Sequence, residues 1–223
     1  MSKSKSGRII SWQKRVFYYC LRLPVLLFFG IFFRVRFFGR NHLPESGPVL
    51  VVSNHQSHFD PPLIAAGLRR RLNFLARKSL FKFKPFGWLI DMLDAIPLEI
   101  DGIGFEGIKE SLKRLRNGEI ILIFPEGART WDGEIVPYLK GALTLGFRSK
   151  ATILPTAIDG CFDAWPRMNR IPWLFGAGPI RVVHGEPMSF DAYQHLTEEE
   201  LHQHVAERVA KLFESIRIKK KTC

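Results

Sequence analysis

Histidine and aspartate stand five positions apart in Asn54-His55-Gln56-Ser57-His58-Phe59-Asp60, and this is where the chain first offers chemistry. A histidine can take a proton from an attacking hydroxyl on one ring nitrogen when a carboxylate holds the other and so fixes the tautomer. A turn of this length lets Asp60 fold back onto His55. A plainer reading is also open. In it Asp60 is the N-cap of the helix that Pro61 and Pro62 begin, His55 is an ordinary turn residue, and Asn54 and Ser57 cap the helix or hold the turn. A second segment, Phe124-Pro125-Glu126-Gly127-Ala128-Arg129-Thr130, follows an apolar run. Its proline stops a sheet ladder and its glycine lets backbone approach a ligand closely. Arg129 can fork onto phosphate oxygens, while Glu126 can position Arg129 or meet a hydroxyl. Taken alone, this segment reads equally as a strand-to-loop turn with a surface Glu-Arg pair.

Both segments need a frame to bring them together. Pro48 to Ser53 is a short β-rich run between Gly47 and Asn54 and reads as a buried strand that delivers His55 at its end. Glu119 to Phe124 reads as another, and delivers Glu126 and Arg129. Further strands are expected at Leu72–Ala76, Ala95–Leu98, Thr152–Ile158 and Ile180–His184, with Pro155 marking a sheet edge or a bend. Helices are expected after Asp60, over Pro85–Leu93 and over Phe105–Arg116, where Ile108, Leu112 and Leu115 recur at helical spacing before Asn117-Gly118. The last helix starts at a capping box of Thr197 and Glu200 and carries Leu201, Val205, Val209, Leu212 and Ile216 on one face. The alternation predicts an α/β fold: one domain with a central, mostly buried sheet flanked by helices.

The 223 residues carry a formal charge of +12, so the partner is expected to be anionic: nucleic acid, acidic lipid or a phosphorylated substrate. Lys3, Lys5, Arg8, Lys14, Arg15, Arg22, Arg34, Arg36 and Arg40 all precede Glu45, the first acidic residue. They flank an apolar stretch from Val16 to Phe33 that Arg22 and Pro24 interrupt. A charge such as Arg22 costs about 2.5–3.5 kcal/mol at a bilayer centre, which favours a helix lying in the interface, or entering it partway, over a clean span. The division expected is a membrane-associating segment over 1–40, a catalytic domain over 41–216 and a basic tail over 217–223. Cys20, Cys161 and Cys223 form no C-x-x-C pair, so neither disulfides nor structural zinc are expected, and a reducing cytosolic face of a membrane fits.

In this order and spacing, N-H-x-x-x-x-D and F-P-E-G-x-R resemble the glycerolipid acyltransferases, in particular the 1-acylglycerol-3-phosphate acyltransferases, over roughly residues 40 to 190. The resemblance implies that His55 deprotonates the acceptor hydroxyl, that Asp60 supports His55, and that the hydroxyl attacks the thioester of acyl-coenzyme A or acyl carrier protein without an acyl-enzyme. It implies that Glu126, Gly127 and Arg129 hold the acceptor's phosphate and glycerol. Arg77-Lys78-Ser79-Leu80 resembles the family's basic segment, making Arg77 or Lys78 a second phosphate contact, and Ile153 to Ile158 resembles its hydrophobic fourth motif. Where the family usually has arginine in a pattern like I-D-R, this chain has Ile100, which leaves Lys82 or Lys84 to compensate or points to a different lysolipid. No bound cofactor and no metal are expected, since the spacing of His55, His58, Asp60 and Glu126 matches no metal motif. The competing functions are a thioesterase, with water replacing the alcohol, and a non-catalytic lipid- or nucleic-acid-binding module. No nucleic-acid motif is present, and phenylalanines beside cations suit lipid better.

Overall fold

The structure, a computed structural model, describes residues 12–98, 105–174 and 177–217. Seven strands, β1 (Arg36–Phe38), β2 (Val49–Ser53), β3 (Leu72–Arg77), β4 (Ile96–Leu98), β5 (Ile120–Ile123), β6 (Thr152–Asp159) and β7 (Arg181–His184), form one sheet in the order β1-β7-β6-β2-β5-β3-β4. Every neighbouring pair is parallel except β6 with β7. The helices are α1 (Trp12–Phe33), α2 (Asp60–Gly67), α3 (Lys84–Met92), α4 (Phe105–Arg116), α5 (Thr144–Ser149), α6 (Cys161–Ala164), α7 (Phe190–Tyr193) and α8 (Glu198–Ile216).

The apolar runs are continuous because the central strands are covered on both faces. Successive side chains alternate between two cores, as the period of a strand requires. Val49, Val51, Ile120, Leu122, Leu154 and Ile158 face α1 and α2, against Phe29, Phe33, Leu63 and Ile64. Leu50, Val52, Ile121, Ile123, Ile153 and Ala157 face the other way, against Leu115 of α4 and Leu201, Val205, Val209 and Phe213 of α8. The Thr197–Glu200 capping box opens α8 as its sequence signals. The α/β architecture therefore agrees with the sequence. Because β2, β3, β5 and β6 run parallel, their C-terminal ends share one edge of the sheet, and the turns there carry His55, Arg77, Arg129 and Gly160.

Three features differ from expectation. Pro155 lies in an interior strand, between β2 and β7. It is tolerated because its missing N–H faces the point where β7 ends: Gly185 N–H donates to the Pro155 carbonyl at 2.8 Å and only the return bond is lost. The strand β1 was not foreseen. It pairs with β7 through only three residues, too few to show a period.

The third difference is α1, which runs unbroken through Arg22 and Pro24 for 22 residues, long and apolar enough to cross a membrane. It does not stand clear of the domain, however, but is docked at points along its length. Lys14 pairs with Asp91, Phe17 meets Trp88 edge-on, and Tyr18 Oη accepts from Leu72 N–H. Arg22 Nε donates to Ala66 O at 3.1 Å, Phe29 packs on Phe59, and Ile180 N–H donates to Phe33 O. The opposite face carries Trp12, Val16, Tyr19, Leu23, Leu27 and Ile31, all exposed. These recur three or four residues apart, which places them on one stripe. Of the basic tail expected over 217–223, Arg217 is described, at the end of α8 and paired with Glu214 and Glu134; residues 218–223, and Ile100, lie outside the described residues.

Candidate active site

The turn after β2 is held at nearly every residue. Asn54 extends the strand by one step with its side chain: Nδ2 donates to Ile158 O and Oδ1 accepts from Ile158 N–H, both at 2.9 Å. Gln56 Nε2 reaches Gly133 O at 2.9 Å, and Ser57 Oγ donates to Trp165 O at 3.0 Å. His55 is thereby presented at the C-terminal edge of the sheet, its ring stacked on Phe124 with centroids 3.9 Å apart.

Asp60 is not an N-cap. It is the first residue of α2, and its carboxylate turns back towards the preceding turn. Oδ2 accepts from the Gln56 and Ser57 N–H groups at 2.6 and 2.7 Å and lies 2.8 Å from His55 Nδ1. The N-terminal end of α2 adds a favourable dipole. A fully buried carboxylate would be costly without such hydrogen-bond partners. The tautomer then follows, because Nδ1–H donates to Asp60 and leaves Nε2 with its lone pair. Asp60 Oδ1 has no N–H or O–H donor among the described residues. The buried Cys161 thiol faces this carboxylate, and burial, then Asp60, pushes its pKa well above the ordinary thiol value.

The second segment is fastened to the first. Thr130 N–H donates to His55 O at 2.9 Å, and His55 N–H donates to Glu126 Oε1 at 3.0 Å. Glu126 is only 6% exposed, and Val136 N–H approaches its second oxygen. Burial pushes its pKa up to about 8; the two backbone donors pull the other way, and Asp60 adds to the rise. Glu126 thus braces the His55 backbone, and it makes no ion pair with Arg129. Gly127 is favoured by its φ of +70°, a left-handed backbone conformation that other residues rarely adopt.

Arg129 is half-buried beside this pair and has no carboxylate partner among the described residues. Burial, then the positive charges of Arg167 and Arg77, lower its pKa, with Asp60 opposing. Arg77, at the end of β3, is exposed, and Lys78 beside it is exposed as well. Of the two, Arg77 is the one whose charge acts on both Arg129 and His58. His58 is exposed to solvent at one side; desolvation, followed by Arg129 and His55, lowers its pKa to about 4. Arg167 was missed by sequence reasoning. It sits in the loop after α6, where it donates from Nη1 to Arg129 O at 2.9 Å and lies 4.0 Å over the Trp131 ring. Nothing local in the sequence distinguishes it from any other loop arginine.

Residues 34–159 match the family model described as Acyltransferase. This chain belongs to the acyltransferase family. The matched span includes both fastened turns, His55 and Asp60 on one and Glu126 to Arg129 on the other. Among curated relatives, the acyltransferase is 30% identical over 167 residues to the 1-acyl-sn-glycerol-3-phosphate acyltransferase of Bacillus subtilis, covering 74% of this chain and 79% of that one. It is 27% identical over 192 residues to the human 1-acyl-sn-glycerol-3-phosphate acyltransferase beta, covering 81% of this chain and 62% of the human protein. The crystal structure of the 1-acyl-sn-glycerophosphate (LPA) acyltransferase PlsC from Thermotoga maritima superimposes with a TM-score of 0.76 at 27% identity, covering 93% of this chain and 85% of that one. The acyltransferase fold and the N-terminal apolar helix thus rest on both sequence and structure.

Proposed function

We propose that this acyltransferase moves a fatty acyl group from an acyl thioester, of coenzyme A or acyl carrier protein, to the free hydroxyl of 1-acyl-sn-glycerol-3-phosphate, giving phosphatidic acid. The observation that carries the reading is the pairing of a buried, tautomer-fixing Asp60–His55 contact with an adjacent arginine that has no carboxylate partner among the described residues. In this mechanism the acceptor hydroxyl gives its proton to His55 Nε2 as its oxygen attacks the thioester carbonyl. Asp60 stabilises the imidazolium that forms. Collapse of the tetrahedral intermediate breaks the C–S bond, and the departing thiolate recovers the proton from His55. A thioester is already activated, so holding both substrates in one complex suffices and no acyl-enzyme is needed. Arg129 and Arg77 hold the acceptor phosphate, with Lys78 at the rim; Gly127 shapes the turn and Glu126 fixes the backbone that borders the glycerol.

The enzyme works from the membrane surface, at the cytosolic face. Three observations support this placement: α1 is docked against the domain, its outer stripe is apolar, and Arg22 is turned inward onto Ala66 O and so spared the bilayer. Exposed Trp88, packed on Phe17 near the start of α1, extends the apolar surface. Free Cys20 and Cys161 suit a reducing compartment. The test is to incubate purified protein in vesicles with labelled acyl-coenzyme A or acyl carrier protein and a panel of lysolipids. Acceptor-dependent formation of phosphatidic acid is expected. Release of free fatty acid without an acceptor indicates a thioesterase, and vesicle binding without turnover a lipid-binding module; either overturns the proposal.

A further inference from the structure

The site holds more positive charge than its own carboxylates answer. Arg77 and Arg167 both bring their charge to bear on Arg129, the three coming from separate elements, the end of β3, the turn after β5 and the loop after α6. None has a carboxylate partner among the described residues, and Arg129 feels both of the others as repulsion. The nearby anion, Asp60, is already committed to His55 and two backbone donors. Arg167 is also not free to swing away. Its Nη1 donates to the Arg129 carbonyl and its guanidinium carbon lies over the Trp131 ring, two contacts that restrain where its remaining N–H groups point. Fixing a like charge beside Arg129 costs stability in the free protein, and an anion between the guanidinium groups repays it.

We propose that Arg167 is a specificity-determining residue that completes a three-arginine clamp for a phosphomonoester, and so selects acceptors with a terminal phosphate over phosphodiester or uncharged lysolipids. A phosphomonoester offers close to two negative charges and three terminal oxygens, enough for three forks; a phosphodiester offers one charge and two oxygens. The clamp thus supplies from the loop after α6 the cation that the sequence lacks at Ile100. This inference rests on the acyl-transfer reading and deepens it.

Arg167→Met and Arg167→Lys are compared with the unaltered protein in vesicles, using 1-acylglycerol 3-phosphate, a lysophosphodiester and monoacylglycerol as acceptors. Binding of glycerol 3-phosphate, read by calorimetry, is measured alongside. Arg167→Met should raise the KM for the phosphomonoester roughly ten- to hundredfold and weaken glycerol 3-phosphate binding to match. Transfer to monoacylglycerol should be unchanged within about twofold, and Arg167→Lys should recover part of the loss. An unchanged preference among acceptors, an equal fall for all three, or a rise in KM for the acyl donor instead would each overturn the role of Arg167. Failure of the acyl-transfer reading would look different, because the unaltered protein would then transfer nothing to any acceptor.

Discussion

The two sides of the site are built in opposite ways. On the His55 side nearly every polar group is buried and answered: Asn54 by Ile158, Ser57 by Trp165, Asp60 Oδ2 by three donors. On the arginine side, Arg77 is exposed, Arg129 and Arg167 are half-buried, and Arg129 feels the like charges of the other two, none of the three having a carboxylate partner among the described residues. The contrast separates two demands. Proton transfer needs a base held in one orientation before substrate arrives, and such preorganisation comes from packing and hydrogen bonds. Recognition of a charged acceptor needs attraction left unspent until the acceptor binds.

Removing a group from the answered side should therefore cost stability, whereas removing one from the open side should cost only recognition. The largest effect is expected from Asn54→Ala, which strips both the N–H and the C=O of Ile158 of their partner. Each group left unpaired costs about 1–3 kcal/mol, so chemical denaturation should show a loss of at least that size. A loss below about 0.5 kcal/mol would mean that water replaces the amide and that the turn is held by other contacts. Arg129→Met should do the reverse. Acceptor KM should rise roughly ten- to hundredfold while thermal stability holds or improves, because repulsion from Arg167 and Arg77 is relieved. A clear drop in melting temperature would erase the distinction between the two sides.

The answered side also carries a pH dependence. Glu126 ionises near 4.5 in the unfolded chain and at about 8 in the folded one, so between these values the folded state holds a proton that the unfolded state has lost. Stability from this group is therefore greatest at low pH and falls as pH rises towards about 8. Glu126→Gln cannot ionise and should flatten that part of the melting-temperature profile. An unchanged slope would show that Glu126 is charged in the folded protein.

Much of this was legible in the sequence, for identifiable reasons. Buried parallel strands are continuous apolar runs, so β2, β5 and β6 could be read directly, and the capping box located α8. The direction of the Asp60 side chain could not be read, because an N-cap and a carboxylate folded back on a histidine share the same residues. Pro155 misled because the rule against interior prolines depends on what the neighbouring strand offers, and β7 ends there. Arg167 was invisible for a related reason: it joins the site through a contact spanning 38 residues of chain, to a backbone carbonyl rather than to a motif.

The central claim is that His55 is the base. In protein whose circular dichroism matches the unaltered form, His55→Ala should lower kcat about 10²–10⁴-fold, with the acceptor KM little changed because the arginines are untouched. Transfer surviving within a few-fold of the unaltered protein would contradict the account.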